Sequence, residues 1–127
     1  MHKLSIINNK KLPFLQYIDL GIKKAECRIA SAGIRNFQIG DKLLLQGKGE
    51  FVLCEITYMN FYKSFEDMIL AEKRENIVPF VSSDEEALKI YKSFPGWQRV
   101  KSLGCCAIGV KPLKSKLKFS INTKNSF

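Results

Sequence analysis

Apolar and polar positions change their period several times along this chain, and each change predicts an element. Leu4, Ile6 and Ile7 read as a short opening strand over residues 4–7. Pro13 suits the first turn of a helix, where its missing N–H gives up no bond, and Phe14, Leu15, Tyr17 and Ile18 follow at helical spacing. Gly21 is the stop, because glycine takes the left-handed conformation that ends a helix. A strand is expected over residues 25–30. Gly40 and Asp41 predict a tight turn into a strand over 42–46, and Gly47-Lys48-Gly49 predicts a hairpin tip. In the next strand Val52, Cys54, Ile56 and Tyr58 alternate onto one face, with Glu55 and Thr57 on the other.

Ser64 then opens a helix with Phe65, Met68, Ile69 and Glu72 at helical spacing, and Pro79 marks its exit. A second helix starts at Ser82-Ser83-Asp84-Glu85-Glu86, where a serine followed three residues later by a glutamate satisfies the free amides of the first turn. Its apolar face is Ala87, Leu88, Tyr91 and Phe94, and Pro95-Gly96 ends it. The last strand, residues 105–110, is apolar almost throughout, as a central strand is. Strands interrupted by helices without regular βαβ alternation predict an α+β fold with a mixed or barrel-like sheet.

At 127 residues with 46% apolar positions the chain can close one core, and a second domain does not fit. No stretch reaches the roughly 20 apolar residues that span a bilayer, and the first residues lack the apolar run of a signal peptide. The expectation is a cytoplasmic protein, intracellular and not secreted, with no membrane partner. Cys27, Cys54, Cys105 and Cys106 lie in apolar runs without a C-x-x-C pair, and the one histidine, His2, stands near the start. That pattern predicts no metal site and no redox cofactor, and reads the cysteines as small core residues of a reducing compartment. The net charge is +9, and Lys111, Lys114, Lys116, Lys118 and Lys124 leave only +4 on the preceding 110 residues. The expected organisation is therefore a domain over 1–112 and a basic, flexible tail over 113–127. Such a tail attracts polyanions without reading sequence, and it equally serves solubility.

Chemistry concentrates in Gly21-Ile22-Lys23-Lys24-Ala25-Glu26-Cys27-Arg28. In an extended chain Lys24, Glu26 and Arg28 share one face, and Ala25 and Cys27 the other. The pattern alone fits a charged cleft and an ordinary exposed strand with a Glu26–Arg28 pair equally well.

The spacing Gly-x-Lys-x-x-Glu-x-Arg, followed by Gly40-Asp41 and a lysine-led apolar strand, resembles the signature of ASCH domains in the PUA-like superfamily. The resemblance continues through Tyr62-Lys63-Ser64-Phe65-Glu66-Asp67-Met68, through Pro79 and the helix to Tyr91, and into Cys106-Ala107-Ile108-Gly109-Val110. It covers roughly residues 3–112. It implies a small PUA-like β-barrel with flanking short helices and a cleft in which Lys23 and Arg28 meet a phosphate or a base. Members of that family are mostly predicted RNA-binding or RNA-processing proteins. Some bacterial members are amidohydrolases acting on acetylated cytidine through a lysine, a nucleophilic threonine and a glutamate. Lys23 matches the lysine, Glu26 occupies the threonine position, and Glu66 or Glu72 stands near the third. Other members are ribonucleases in which a tyrosine and the motif lysine are implicated, and Tyr17 matches that tyrosine by its place.

These readings make Lys23, Lys24, Glu26 and Arg28 the expected binding residues for RNA or a nucleotide-like ligand. If the protein is an enzyme, Lys23, Glu26 and Tyr17 are the catalytic candidates. Arg28 offers a planar fork for phosphate or a base edge, Lys23 a compact charge, and Glu26 an orienting carboxylate. Because a carboxylate is no substitute for an activated hydroxyl, binding is favoured over acetylcytidine hydrolysis. A hydrolase acting on RNA or a modified nucleoside, and a protein-interaction module with a vestigial cleft, are the alternatives. Trp97 with Arg99 suggests a second stacking platform or a cover over a barrel end, and Asp41 a turn cap.

Overall fold

The computed structural model describes residues 1–113 and, as backbone, the short strand Phe119–Ser120. Lys114, Lys116, Lys118 and Lys124, the lysines expected in a flexible tail, lie outside the described residues. The chain forms β1 (His2–Ser5), α1 (Phe14–Asp19), β2 (Ala25–Ile29), α2 (Ala32–Arg35), β3 (Lys42–Gly47) and β4 (Glu50–Tyr62). There follow α3 (Phe65–Glu72), α4 (Arg74–Ile77), α5 (Asp84–Tyr91), a 3₁₀ turn (Trp97–Arg99), α6 (Val100–Leu103), β5 (Cys105–Pro112) and β6 (Phe119–Ser120).

The strands make one mixed, curled sheet in the order β1-β3-β4-β5-β2, with β6 paired to the start of β4. β1 lies parallel to β3, and the other pairs are antiparallel. This is the expected α+β half-barrel with short helices, and it is consistent with a small PUA-like barrel. β5 is central, and every residue from Cys105 to Val110 is buried. β1 and β2 are left as the two edges of the path, so the barrel has a seam between them.

Local chemistry explains most boundaries. Ser64 and Ser83 cap α3 and α5 by accepting from the Asp67 and Glu86 amides, and the Glu86 carboxylate accepts from the Ser82 amide. The β3–β4 hairpin turns through Lys48 and Gly49, both at positive φ, as a tight two-residue turn requires. One expectation is corrected. A register shift between Ile56 and Tyr58 pairs Tyr58 with Gly109, next to the Ile56–Val110 pair, so the bulge turns Tyr58 to the face opposite Ile56. α2 and α6, four residues each, are too short to show a period in sequence.

All four cysteines are free and buried. Burial raises the thiols of Cys54, Cys105 and Cys106 to about 12, so they act as small core residues. No described helix is long and apolar enough to cross a membrane.

His2 is anchored: its ring stacks on Phe37 at 4.1 Å and its Nε2 lies 2.7 Å from Asp41 Oδ2. The same carboxylate oxygen accepts from the Gln38 amide, which is the turn-capping duty expected of Asp41. The His2 bond first, and the Gln38 amide second, hold the Asp41 carboxyl below its ordinary range. A depressed carboxyl adds stability above its unfolded value of about 3.9, and that stability is lost as pH falls through the folded value. Asp41→Asn should therefore destabilise the protein at pH 6, with the gap from wild type closing in acid below about pH 4. Urea midpoints across that range check it; a gap independent of pH would contradict the assignment.

Candidate functional site

α1 ends at Gly21, whose φ of 76° lets its amide reach Ile18 O while the Ile22 amide reaches Tyr17 O. That reversal throws Lys23 inward. Its side chain is 1% exposed, and the ammonium donates to Ala25 O at 2.6 Å and Ile77 O at 2.7 Å. It also lies 3.6 Å from Glu26 Oε1 and 5.0 Å from the centre of the Phe14 ring. Two of the ammonium's three donors are thus spent on carbonyls, and the Glu26 carboxylate stands beside it at ion-pair distance. Lys23 thus ties the end of α4 to β2, helped by the Lys24 amide, which donates to Asn76 O.

Glu26 is buried, and its second oxygen accepts from Arg28 Nε at 2.9 Å. The Arg28 guanidinium also donates to Ser5 O, so it bridges the two edge strands across the barrel seam. Lys23, Glu26 and Arg28 therefore form one continuous chain of charge, with the carboxylate in the middle.

At this seam opens a cleft of about 380 Å³. Lys23, Glu26 and Arg28 line it together with the exposed Arg99. The other walls are largely apolar, with Phe14, Ile34, Phe65 and Phe94 among them. Cys27 and Tyr91 also face it. Burial pushes the Cys27 thiol up to about 11 against the opposing pull of Lys23, so it stays protonated and is no nucleophile at neutral pH. Tyr91 Oη is buried beside that thiol without a hydrogen-bond partner of good geometry among the described residues, and burial raises its phenol well above the ordinary value.

Of the residues singled out from sequence, Lys23, Glu26 and Arg28 are brought together. Lys24 is exposed and folds back onto Gly21 O. Tyr17 is outside the cleft lining, with its ring tilted against Phe80 at 5.5 Å. Glu66 is at the surface, 3.5 Å from Lys92. Glu72 is held by Tyr58, Asn60 and Tyr62, away from the cleft lining. Burial first, and then Glu72, raises both phenols. Trp97 carries Lys92 over its ring at 5.4 Å, and only Arg99 of that pair reaches the cleft. Sequence reasoning did not place Phe65, Phe94 or Ser5 at the site. Their apolar or backbone roles give no motif, and only the seam brings them there.

The fold and this seam cleft define a small α+β half-barrel of PUA-like form. The structure is similar to the crystal structure of hypothetical protein PH0355, with a TM-score of 0.75 and 29% identity over 87% of this chain and 99% of that one. It is also similar to the solution structure of protein PF0455 from Pyrococcus furiosus, with a TM-score of 0.70 and 28% identity over 89% of this chain and 99% of that one. No protein-family model and no curated protein matches the chain.

Proposed function

We propose that this protein is an ASCH-type binding domain that takes a nucleotide unit, free or within single-stranded RNA, into the seam cleft. The observation that carries this reading is the convergence of Glu26, Arg28 and Arg99 on one apolar-walled cleft of about 380 Å³. That volume is at the small end of the range for ligand pockets, which favours one nucleotide over a duplex. Apolar and aromatic walls suit a base, and an arginine at the mouth suits a phosphate. Three of the charged lining side chains are cations and one is a carboxylate, so the electrostatics favour an anionic ligand.

Binding is supported over hydrolysis by the way the candidate groups are used. Lys23 is buried with its ammonium bonded to two carbonyls and paired with Glu26, and Tyr17 does not line the cleft. The lysine-rich tail would add affinity for RNA of any sequence.

The test is RNA affinity across salt for wild type, for Arg99→Ala, and for a full-length chain with Lys114, Lys116, Lys118 and Lys124 changed to glutamine. Arg99 is exposed, so its loss should leave the melting temperature unchanged while weakening binding about tenfold. The tail variant should mainly flatten the salt dependence. If only the tail variant weakens binding, the cleft is not the site.

A further inference from the structure

Glu26 is the one carboxylate among the residues lining the cleft, and its geometry specifies more than charge. Lys23 approaches Oε1 at 3.6 Å and Arg28 Nε donates to Oε2 at 2.9 Å. A carboxylate offers about four acceptor positions and no donor. Arg28 takes one position on Oε2 and Lys23 stands beside Oε1 at ion-pair distance, so each oxygen keeps acceptor capacity, and the two lie side by side as a fork. The neighbouring walls are apolar, among them Phe14, Ile34 and Phe65, so a base that enters has to meet this fork with N–H groups or leave it desolvated and unpaired.

Resting on the nucleotide reading above, we propose that the cleft selects guanine, with Glu26 as the residue that reads it and Arg99 as the contact for the phosphate. Guanine presents its N1–H and its 2-amino group as adjacent, parallel donors, which match two carboxylate oxygens. Uracil has one N–H between two carbonyls, so a carbonyl oxygen would be driven against a carboxylate oxygen. Adenine and cytosine place an amino group beside an unprotonated ring nitrogen, which opposes the second oxygen. Hypoxanthine keeps N1–H and lacks the amino group. Lys23 and Arg28 are positioning residues in this scheme, because each holds one oxygen of the fork.

Calorimetric titration of the full chain with GMP, IMP, AMP, CMP and UMP tests the assignment. GMP should bind roughly tenfold or more tightly than each of the others, the IMP deficit reporting the second donor alone. Affinities equal within about threefold would overturn the guanine assignment and leave nucleotide binding intact. Absence of binding by all five at about 1 mM would overturn both. Glu26→Gln turns one acceptor into a donor, and should bring GMP and AMP within about threefold of each other. A folded Glu26→Gln protein that keeps the GMP preference would remove Glu26 as the reader. Should that variant fail to fold, the wild-type series alone decides.

Discussion

Lys23→Met should lower the free energy of unfolding by about 3–5 kcal/mol, a large share of the stability of a domain this size. The methionine fills a similar volume, so the loss is electrostatic. It leaves Ala25 O and Ile77 O without their donor and Glu26 buried with Arg28 as its remaining cation. Buried acceptors without partners carry their full desolvation cost. The double variant Lys23→Met/Glu26→Leu should recover part of that loss, because a neutral pair no longer demands compensation. Urea unfolding of the single and double variants provides the measurement. A Lys23→Met protein as stable as wild type but unable to bind ligand would instead mean that the ammonium faces the ligand.

Gly104→Ala should be comparably damaging for a backbone reason. Gly104 has φ 74° and ψ −171°, a region that residues with a β-carbon essentially do not occupy. A β-carbon there would also stand 2.6 Å from the Tyr62 carbonyl oxygen, which belongs to the neighbouring strand and cannot swing aside as a side chain would. Strain and overlap together should cost about 3 kcal/mol, a fall of roughly 10 °C in Tm. The residue joins α6 to the central strand, and its carbonyl accepts from the Ala30 amide. The damage should thus reach β2 and the cleft, with faster hydrogen exchange at Ala30 as its local signature. An alanine variant with unchanged Tm would show that the α6–β5 junction relaxes freely.

The elements were legible where a signal is local. Serine caps, Gly21, the Lys48–Gly49 turn and the period-2 alternation of Val52, Cys54 and Ile56 all act within a few residues, and the structure places each where those signals predict. The alternation misled only past Ile56, because a bulge changes the pairing without any mark in the alternating pattern. The motif was legible as a cluster of charge, but its exposure was not. Glu26 and Lys23 are as buried as the hydrophobic core, which charged side chains allow only when paired. Glu26 finds both of its cations inside the motif, while Lys23 also needs the distant Ile77 carbonyl.

By itself, then, the sequence determined the longer helices and most of the strands, the α+β class, the burial of the cysteines and the place of the Gly21–Arg28 segment at a helix-to-strand junction. These follow from backbone preferences and apolar periodicity, which act over a few residues. Tertiary structure alone decided that Lys23 would be bound by a carbonyl 54 residues away and that Arg28 would bridge the seam to a carbonyl 23 residues before it. It also brought Arg99 to the cleft and left Tyr17 outside it. A buried charge acquires its role from whichever acceptors the folded chain brings within hydrogen-bond reach, and spacing along the sequence carries no record of those distances.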